Sequence, residues 1–321
     1  MANMLRRWRG QNQRECEPVD HDKMVNTIIH HLAKSIVFLV IRIYFLLNNQ
    51  IKDLRTAIGP LSGRAKKFCT DACLRRYLEA RNWNLEKAKK MLEETLEWRS
   101  KYKPEEIRWD EVAHEGETGK VSRANFVDRS GRPVLIMRPG KQNTKTGDGN
   151  VRHLVYLIEN AILNLPKGQE QMTWLIDFTG FSMSASNIQM KTSRDIVNVL
   201  QNHYPERLAI IVLYNPPKIF QPFFKVLSYF IDPKTYLKIK FVYPSDKASI
   251  EVIKSYFDTE NLPSEFGGNA NFNLKYDHEE FSKLMAEDDI KTARFWDSES
   301  ERVEETNANA HCVTPLEPET L

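Results

Sequence analysis

One carboxylate, two imidazoles and a few glycine-flanked polar residues are the positions in this sequence whose types and spacing suit catalysis. Asp177 closes the apolar run Met172 to Ile176, and catalytic groups in α/β proteins gather at the ends of such strands. A carboxylate there needs a partner before it can move protons, and His203 and His153 are the candidates. No spacing ties either imidazole to it, so capping or loop ordering is the favoured role. Gly116-Glu-Thr-Gly-Lys-Val-Ser122 faintly echoes a phosphate loop. Its glycine spacing is short, Val separates Lys from Ser, and it precedes a strand instead of following one. Gly59-Pro-Leu-Ser-Gly63 places its serine one position too late for a nucleophile elbow. Cys69 and Cys73 lie one helical turn apart, but no His or Cys pair elsewhere completes a metal site. The expectation is a protein that is not an enzyme, holding neither cofactor nor metal. The four cysteines, Cys16, Cys69, Cys73 and Cys312, are read as reduced thiols in a cytosolic protein.

Other polar residues suit binding. Glu206 and Arg207 follow Tyr204-Pro205, and alternation along a strand read from Lys234 to Tyr243 puts Lys238 and Lys240 on one face. Singly these are solvated charges or lysines guarding a sheet edge. Together they would hold a buried phosphate and its polar substituent. The net charge of +3 over 321 residues is too small to argue for nucleic acid.

The elements that must position these groups fall into two styles. Thr70 or Asp71 caps a helix with the stripe Leu74, Tyr77 and Leu78, and Asn84 caps a second, ending before Pro104; the short break between them makes an antiparallel hairpin. Pro104 to Thr118, rich in acids, reads as a linker. From Gly119 the period changes. Apolar runs at 134–137, 172–176, 208–214 and 239–243 alternate with helix-length segments at 151–165, 188–203 and 217–231, and a last helix spans 248–257. Alternation of this kind builds βαβ units and a mostly parallel sheet flanked by helices.

The segment Asn215 to Pro233 is the most informative. Lys218, Gln221, Lys225 and Ser228 form one thin polar stripe, while Ile219, Phe220, Phe223, Phe224, Val226, Leu227, Tyr229 and Phe230 cover the remainder. A helix that covers a sheet needs one apolar face, so the second must meet another element, an apolar ligand or a membrane. Near the N-terminus, Ile36 to Leu47 contains Arg42 as its only residue that is not apolar. Twelve residues fall short of the ~20 that a membrane span needs, so a packed or interfacial helix is expected, with anchoring left open.

Leu74-Arg-Arg-Tyr-Leu-Glu-Ala-Arg-Asn-Trp83, Tyr204-Pro-Glu-Arg-Leu208, Asn215-Pro-Pro217 before the aromatic helix, and Leu262-Pro-Ser-Glu-Phe-Gly-Gly268 occur in an order that resembles the CRAL-TRIO lipid-binding family with its N-terminal helical domain. The resemblance covers roughly Leu54 to Gly268. It implies an α/β domain enclosing a lipid pocket behind a small all-helical domain, with the aromatic helix as a mobile gate over the acyl chains. Phe220, Phe223, Phe224, Leu227 and Phe230 would line that gate. Arg81, Glu206, Arg207, Thr235 and Lys238 match the head-group set of relatives that bind phosphatidylinositol, whereas Asn82 stands where a basic residue is common and Arg75 or Arg76 would compensate.

The implied function is phosphatidylinositol transfer or presentation, with phosphatidylcholine as an exchange partner and a carrier of tocopherol- or retinal-like ligands as the alternative; an α/β esterase built around Asp177 and a protein-interaction module are the remaining, less favoured readings. The implied partners are membrane phospholipids, a transient membrane surface and a lipid kinase, and the protein acts as a cytosolic, peripherally associated monomer. The corresponding segmentation is an extension over 1–50, a helical domain over 51–118, the lipid-binding domain over 119–270 and an acidic, unstructured tail over 271–321.

Overall fold

The computed structural model describes residues 21–181, 190–218, 220–270 and 275–297. Ile219, Cys16, Cys312, the start of the helix expected from Ile188 and the end of the tail lie outside the described residues. The chain divides into two compact units, 1–53 and 54–321.

The first helix, α1, runs over His21–Ile58. The apolar run expected to be too short for a span is part of it, and the stretch Leu32–Ile58 is, by length and composition, long and apolar enough to cross a membrane. Ile36 through Leu46 are exposed, which sets aside the packed alternative and is consistent with the interfacial one.

In the second unit α2 (Gly63–Phe68), α3 (Asp71–Ala80) and α4 (Leu85–Tyr102) form the helical region. Thr70 Oγ1 accepts from Cys73 N (3.2 Å) and Asn84 Oδ1 from Lys87 N (2.9 Å), so both expected caps form. Asn82 and Trp83, both at positive φ, make the hairpin turn. The expected linker is folded: Pro104–Glu106 is a 3-10 turn and α5 covers Trp109–Gly116. Trp109 and Val112, three residues apart, bury one face, while the acids Asp110 and Glu111 occupy the first turn, where they complement the helix dipole.

Five strands form one sheet in the order β1-β2-β3-β4-β5. β1 (Val121–Val127) pairs antiparallel with β2 (Pro133–Met137); β3 (Met172–Asp177), β4 (Leu208–Tyr214) and β5 (Ile239–Val242) continue in parallel. β1 carries no apolar run because Ser122, Arg123 and Asn125 interrupt it. Side chains alternate between two cores. Leu135 and Trp174 join α5, α6 (Gly147–Leu163) and α11 (His278–Asp297) on one face. Val134, Ile136, Leu175, Ile210 and Val212 meet α10 (Lys247–Tyr256), Leu262 and Phe266 on the other. Gly268 lies so close to the Leu262 carbonyl that a Cβ would sit 1.8 Å from its oxygen, which gives the Leu-Pro-Ser-Glu-Phe-Gly-Gly motif a packing role. α7 (Met190–His203) covers the first face, and α8 (Phe220–Ser228) is followed by the short α9 (Pro233–Leu237). The aromatic helix is therefore shorter than expected, and Lys234 to Leu237 are helical where a strand was read. α11 also corrects the expectation of an unstructured tail from 271, since Phe281, Met285 and Asp288 are buried.

Candidate functional site

A cavity of about 800 Å³ opens between the α6–α7 face of the sheet and α8. That lies toward the upper end of the ~300–1,000 Å³ found for ligand pockets. Its floor is the alternating set Met172, Trp174 and Ile176 of β3 with Ile211 and Leu213 of β4, and α6, α7 and α8 supply most of the remaining apolar wall. All ten residues singled out from the sequence line it: Phe220, Phe223, Phe224, Leu227 and Phe230 from the aromatic segment, and Arg81, Glu206, Arg207, Thr235 and Lys238 at the polar end. Trp174, Leu154, Ile158, Ile196 and Leu200 also line it and were not foreseen; nothing in their spacing separates them from ordinary core residues.

The second apolar surface of α8 has a physical explanation here. Phe220 and Phe224 pack on Phe178 and Leu213, while Phe223 and Leu227 are half-buried along the cavity. Beyond them Val226, Tyr229, Phe230, Tyr236 and Leu237 are exposed, Tyr229 and Leu237 by 79% and 73%. A contiguous apolar rim beside a cavity mouth is rare on a soluble surface and marks a contact site.

The polar end is built where α7 hands over to β4. Glu206 adopts a left-handed backbone (φ 56°) that turns the chain into the strand. Lys238, the C-cap of α9, donates from Nζ to Glu206 Oε2 (3.1 Å) and to the Leu208 carbonyl (2.9 Å). An ammonium has three donors, so among the described residues one remains for a ligand oxygen. Arg81, the C-cap of α3, donates from Nη1 only to the Ala80 carbonyl (3.2 Å) among the described residues. Arg207 is more constrained: its Nη1 donates to Glu170 Oε2 (2.8 Å) and to the Glu170 carbonyl (2.9 Å). Burial, with the nearby Arg76 cation, lowers the Arg207 guanidinium to about 10, which leaves it charged at neutral pH. Arg76 also pairs with Glu170 and Arg75 with Glu79; neither lines the cavity, so they do not replace the cation missing at Asn82.

The catalytic candidates are not brought together: Asp177 pairs with neither histidine among the described residues. Asp177 accepts from Thr179 N (2.9 Å) and faces Arg138 Nε at 3.4 Å, ordering the loop after β3. His203 Nδ1 instead meets Thr95 Oγ1 at 3.1 Å, and His153 sits beside Trp109. In the phosphate-loop echo, the Lys120 ammonium is taken by Glu115, Thr144 (3.1 Å) and Asn150 (2.8 Å), with no donor left to cradle a phosphate. Cys69 and Cys73 are free, buried thiols.

A mostly parallel sheet thus carries an apolar cavity that α8 borders, with basic residues at one end of it. The chain belongs to the CRAL/TRIO family: the model of the CRAL/TRIO domain matches residues 116–268, and that of the CRAL/TRIO N-terminal domain matches residues 49–94. A CRAL-TRIO domain-containing protein of Schizosaccharomyces pombe is 38% identical over 68% of this chain and 21% of its own length, so the chain spans about a fifth of that relative. The phosphatidylinositol transfer protein PDR17 of Saccharomyces cerevisiae is 34% identical over 74% of this chain and 68% of its own. The SEC14 cytosolic factor of Candida glabrata is 30% identical over 68% of this chain and 76% of its own. The crystal structure of Sfh5 superposes with a TM-score of 0.51 at 20% identity, covering 70% of this chain and 82% of that one, and supports the fold.

Proposed function

We propose that this protein is a non-enzymatic carrier of a glycerophospholipid, phosphatidylinositol above all, which it exchanges with membranes or presents to a lipid kinase. The observation that carries the reading is one cavity that is apolar along its length and basic at its mouth, with Lys238 and Arg81 keeping donors for a phosphate. Two relatives named as a phosphatidylinositol transfer protein and a cytosolic factor of the same family support it. The acyl chains occupy the apolar length at ~0.8 kcal/mol per buried CH₂, which outweighs any single head-group hydrogen bond of about 1.5–3 kcal/mol. Chains therefore set retention and polar residues set selectivity. No bond is broken, and α8 with the exposed rim admits the lipid at a bilayer surface. Glu206 holds Lys238 and accepts from an inositol hydroxyl; Thr235 and Arg207 complete the mouth.

Lys238→Ala should lose phosphatidylinositol transfer between vesicles while phosphatidylcholine transfer survives. Equal loss of both would reject the head-group assignment. Mass spectrometry of lipid co-purified with the wild-type chain distinguishes a phospholipid from a tocopherol- or retinal-like cargo.

A further inference from the structure

Positive charge is concentrated around the apolar rim. Residues 217–243 hold five lysines, Lys218, Lys225, Lys234, Lys238 and Lys240, against a single acid, Asp232. Their net charge of +4 exceeds the +3 of all 321 residues, so the remainder of the chain sums to −1. Lys238 is paired with Glu206, whereas Lys218, Lys225, Lys234 and Lys240 form no ion pair among the described residues. Asp232 turns its carboxylate to the cap of α9, accepting from Lys234 N (2.8 Å).

Contacts tie these lysines to the rim. Lys225 and Tyr229 are four residues apart, hence neighbours on the exposed side of α8 together with Val226. Tyr236 stacks on Phe224 (6.0 Å between centroids), which brings α9 beside α8. Lys240 donates from Nζ to the carbonyl of the exposed Leu237 (3.1 Å), and Lys234, one turn before Leu237, donates to the Glu79 carbonyl (3.0 Å). Arg194 lies over the Phe230 ring at 5.1 Å, with Asp195 next to it in the chain to offset its charge. Neither Lys225 nor Lys240 lines the cavity, so their charge does not serve the cargo. The rim borders the mouth of the lipid cavity, and whatever covers it must give or take the lipid; a bilayer does both.

We propose that this rim docks on bilayers of net negative charge, its apolar side chains entering the interface while Lys218, Lys225, Lys234 and Lys240 reach anionic lipid head groups. This rests on the carrier reading and deepens it, by naming the class of membrane at which cargo is exchanged. Lysine suits the role, because its stem lies along apolar surface while the ammonium stays in water. Close to an acidic leaflet, each such lysine strengthens binding roughly fivefold.

The test is co-sedimentation of the full chain with vesicles of phosphatidylcholine alone and with vesicles in which about a quarter of the lipid is phosphatidylserine. Phosphatidylserine supplies the charge because it is not the proposed cargo. We expect the acidic vesicles to bind at least about 25-fold more tightly at low salt. That preference should shrink to within about twofold near 1 M salt, where the Debye length is only about 3 Å. Lys225→Glu combined with Lys240→Glu should cut it at least about tenfold while binding to neutral vesicles changes by less than about twofold. Equal wild-type binding to the two vesicles would overturn the proposal before any variant is made. So would a preference kept in full by the folded double variant, since the charge responsible would then lie elsewhere, as on Lys34 and Arg42 of α1. Lipid extracted from the same preparations separates the two readings. Phosphatidylinositol cargo without acidic preference sinks the docking proposal alone, and a lysine-dependent acidic preference in a chain that carries no phospholipid sinks the carrier reading.

Discussion

Burial fixes the protonation of two histidines before any ligand arrives. His153 is lowered to about 3 and His203 to about 4, in each case by desolvation first and a neighbouring cation second: Lys120 for His153, Arg99 for His203. His203 is held neutral where it stacks on Trp98, with ring centroids 4.2 Å apart. In the unfolded chain both take up a proton near their usual value of about 6.5. Their neutral forms therefore support the fold fully above pH 6.5, and that support is lost as pH falls from 6.5 toward 4. For the buried His153 the loss approaches about 1.4 kcal/mol per pH unit; the partly solvated His203 adds less. Urea midpoints measured from pH 7 to 4.5 should fall steadily, with a shallower slope in His153→Phe, and a flat profile down to pH 5 would contradict this. At this scale the sequence was partly legible. Thr70 and Asn84 are caps because short polar side chains before an apolar stripe have few other uses. The commitment of Arg207 to Glu170 was hidden, since the partners are 37 residues apart and nothing local pairs them.

Among the elements, the apolar excess of α8 was visible because a sheet can absorb only one face of a helix, whereas α9 was read as strand. β1, α5 and α11 were missed for the converse reason: each mixes enough charge into a short span to read as linker or tail, and only burial against distant residues reveals the apolar face. Trp109, for example, packs on Phe281 of α11 at a centroid distance of 5.4 Å. Leu237 at the end of α9 is 73% exposed and does not line the cavity, so its role can be separated from lipid retention. Burying one such side chain in a bilayer surface is worth about 1.5–3 kcal/mol. Leu237→Asp should thus weaken binding to vesicles roughly tenfold or more while the co-purified lipid content stays unchanged. Sedimentation with vesicles, paired with lipid extraction of the same preparation, reads both quantities. Loss of cargo together with vesicle binding would place Leu237 in the pocket instead of on the membrane.

Across the whole unit from Leu54 onward, the C-terminal helix and the cavity draw on different side chains. α11 returns from the C-terminal side to clamp α5, α6 and β1 through two acids, Asp288 and the half-buried Asp289. Asp288 is fully buried and receives Arg123 Nη2 (2.9 Å), Lys291 (2.7 Å) and the side-chain amides of Asn160 (2.9 Å) and Asn164 (3.1 Å). Asp289 accepts from Tyr156 Oη (3.0 Å) and Trp109 N (2.7 Å). No residue of α11 lines the cavity. Removing one partner of a buried ion pair leaves the other charge uncompensated, at a typical cost of about 3–5 kcal/mol. Asp288→Ala should therefore destabilise the fold by about 3 kcal/mol. Each kcal/mol corresponds to roughly 2–4 °C of melting temperature in a unit of this size. Because the clamp and the cavity use separate side chains, the same variant assayed well below its melting temperature should keep its preference for phosphatidylinositol over phosphatidylcholine. A shifted lipid preference at unchanged stability would mean that α11 shapes the pocket, and the division between a stabilising C-terminal helix and a selective cavity would have to be abandoned.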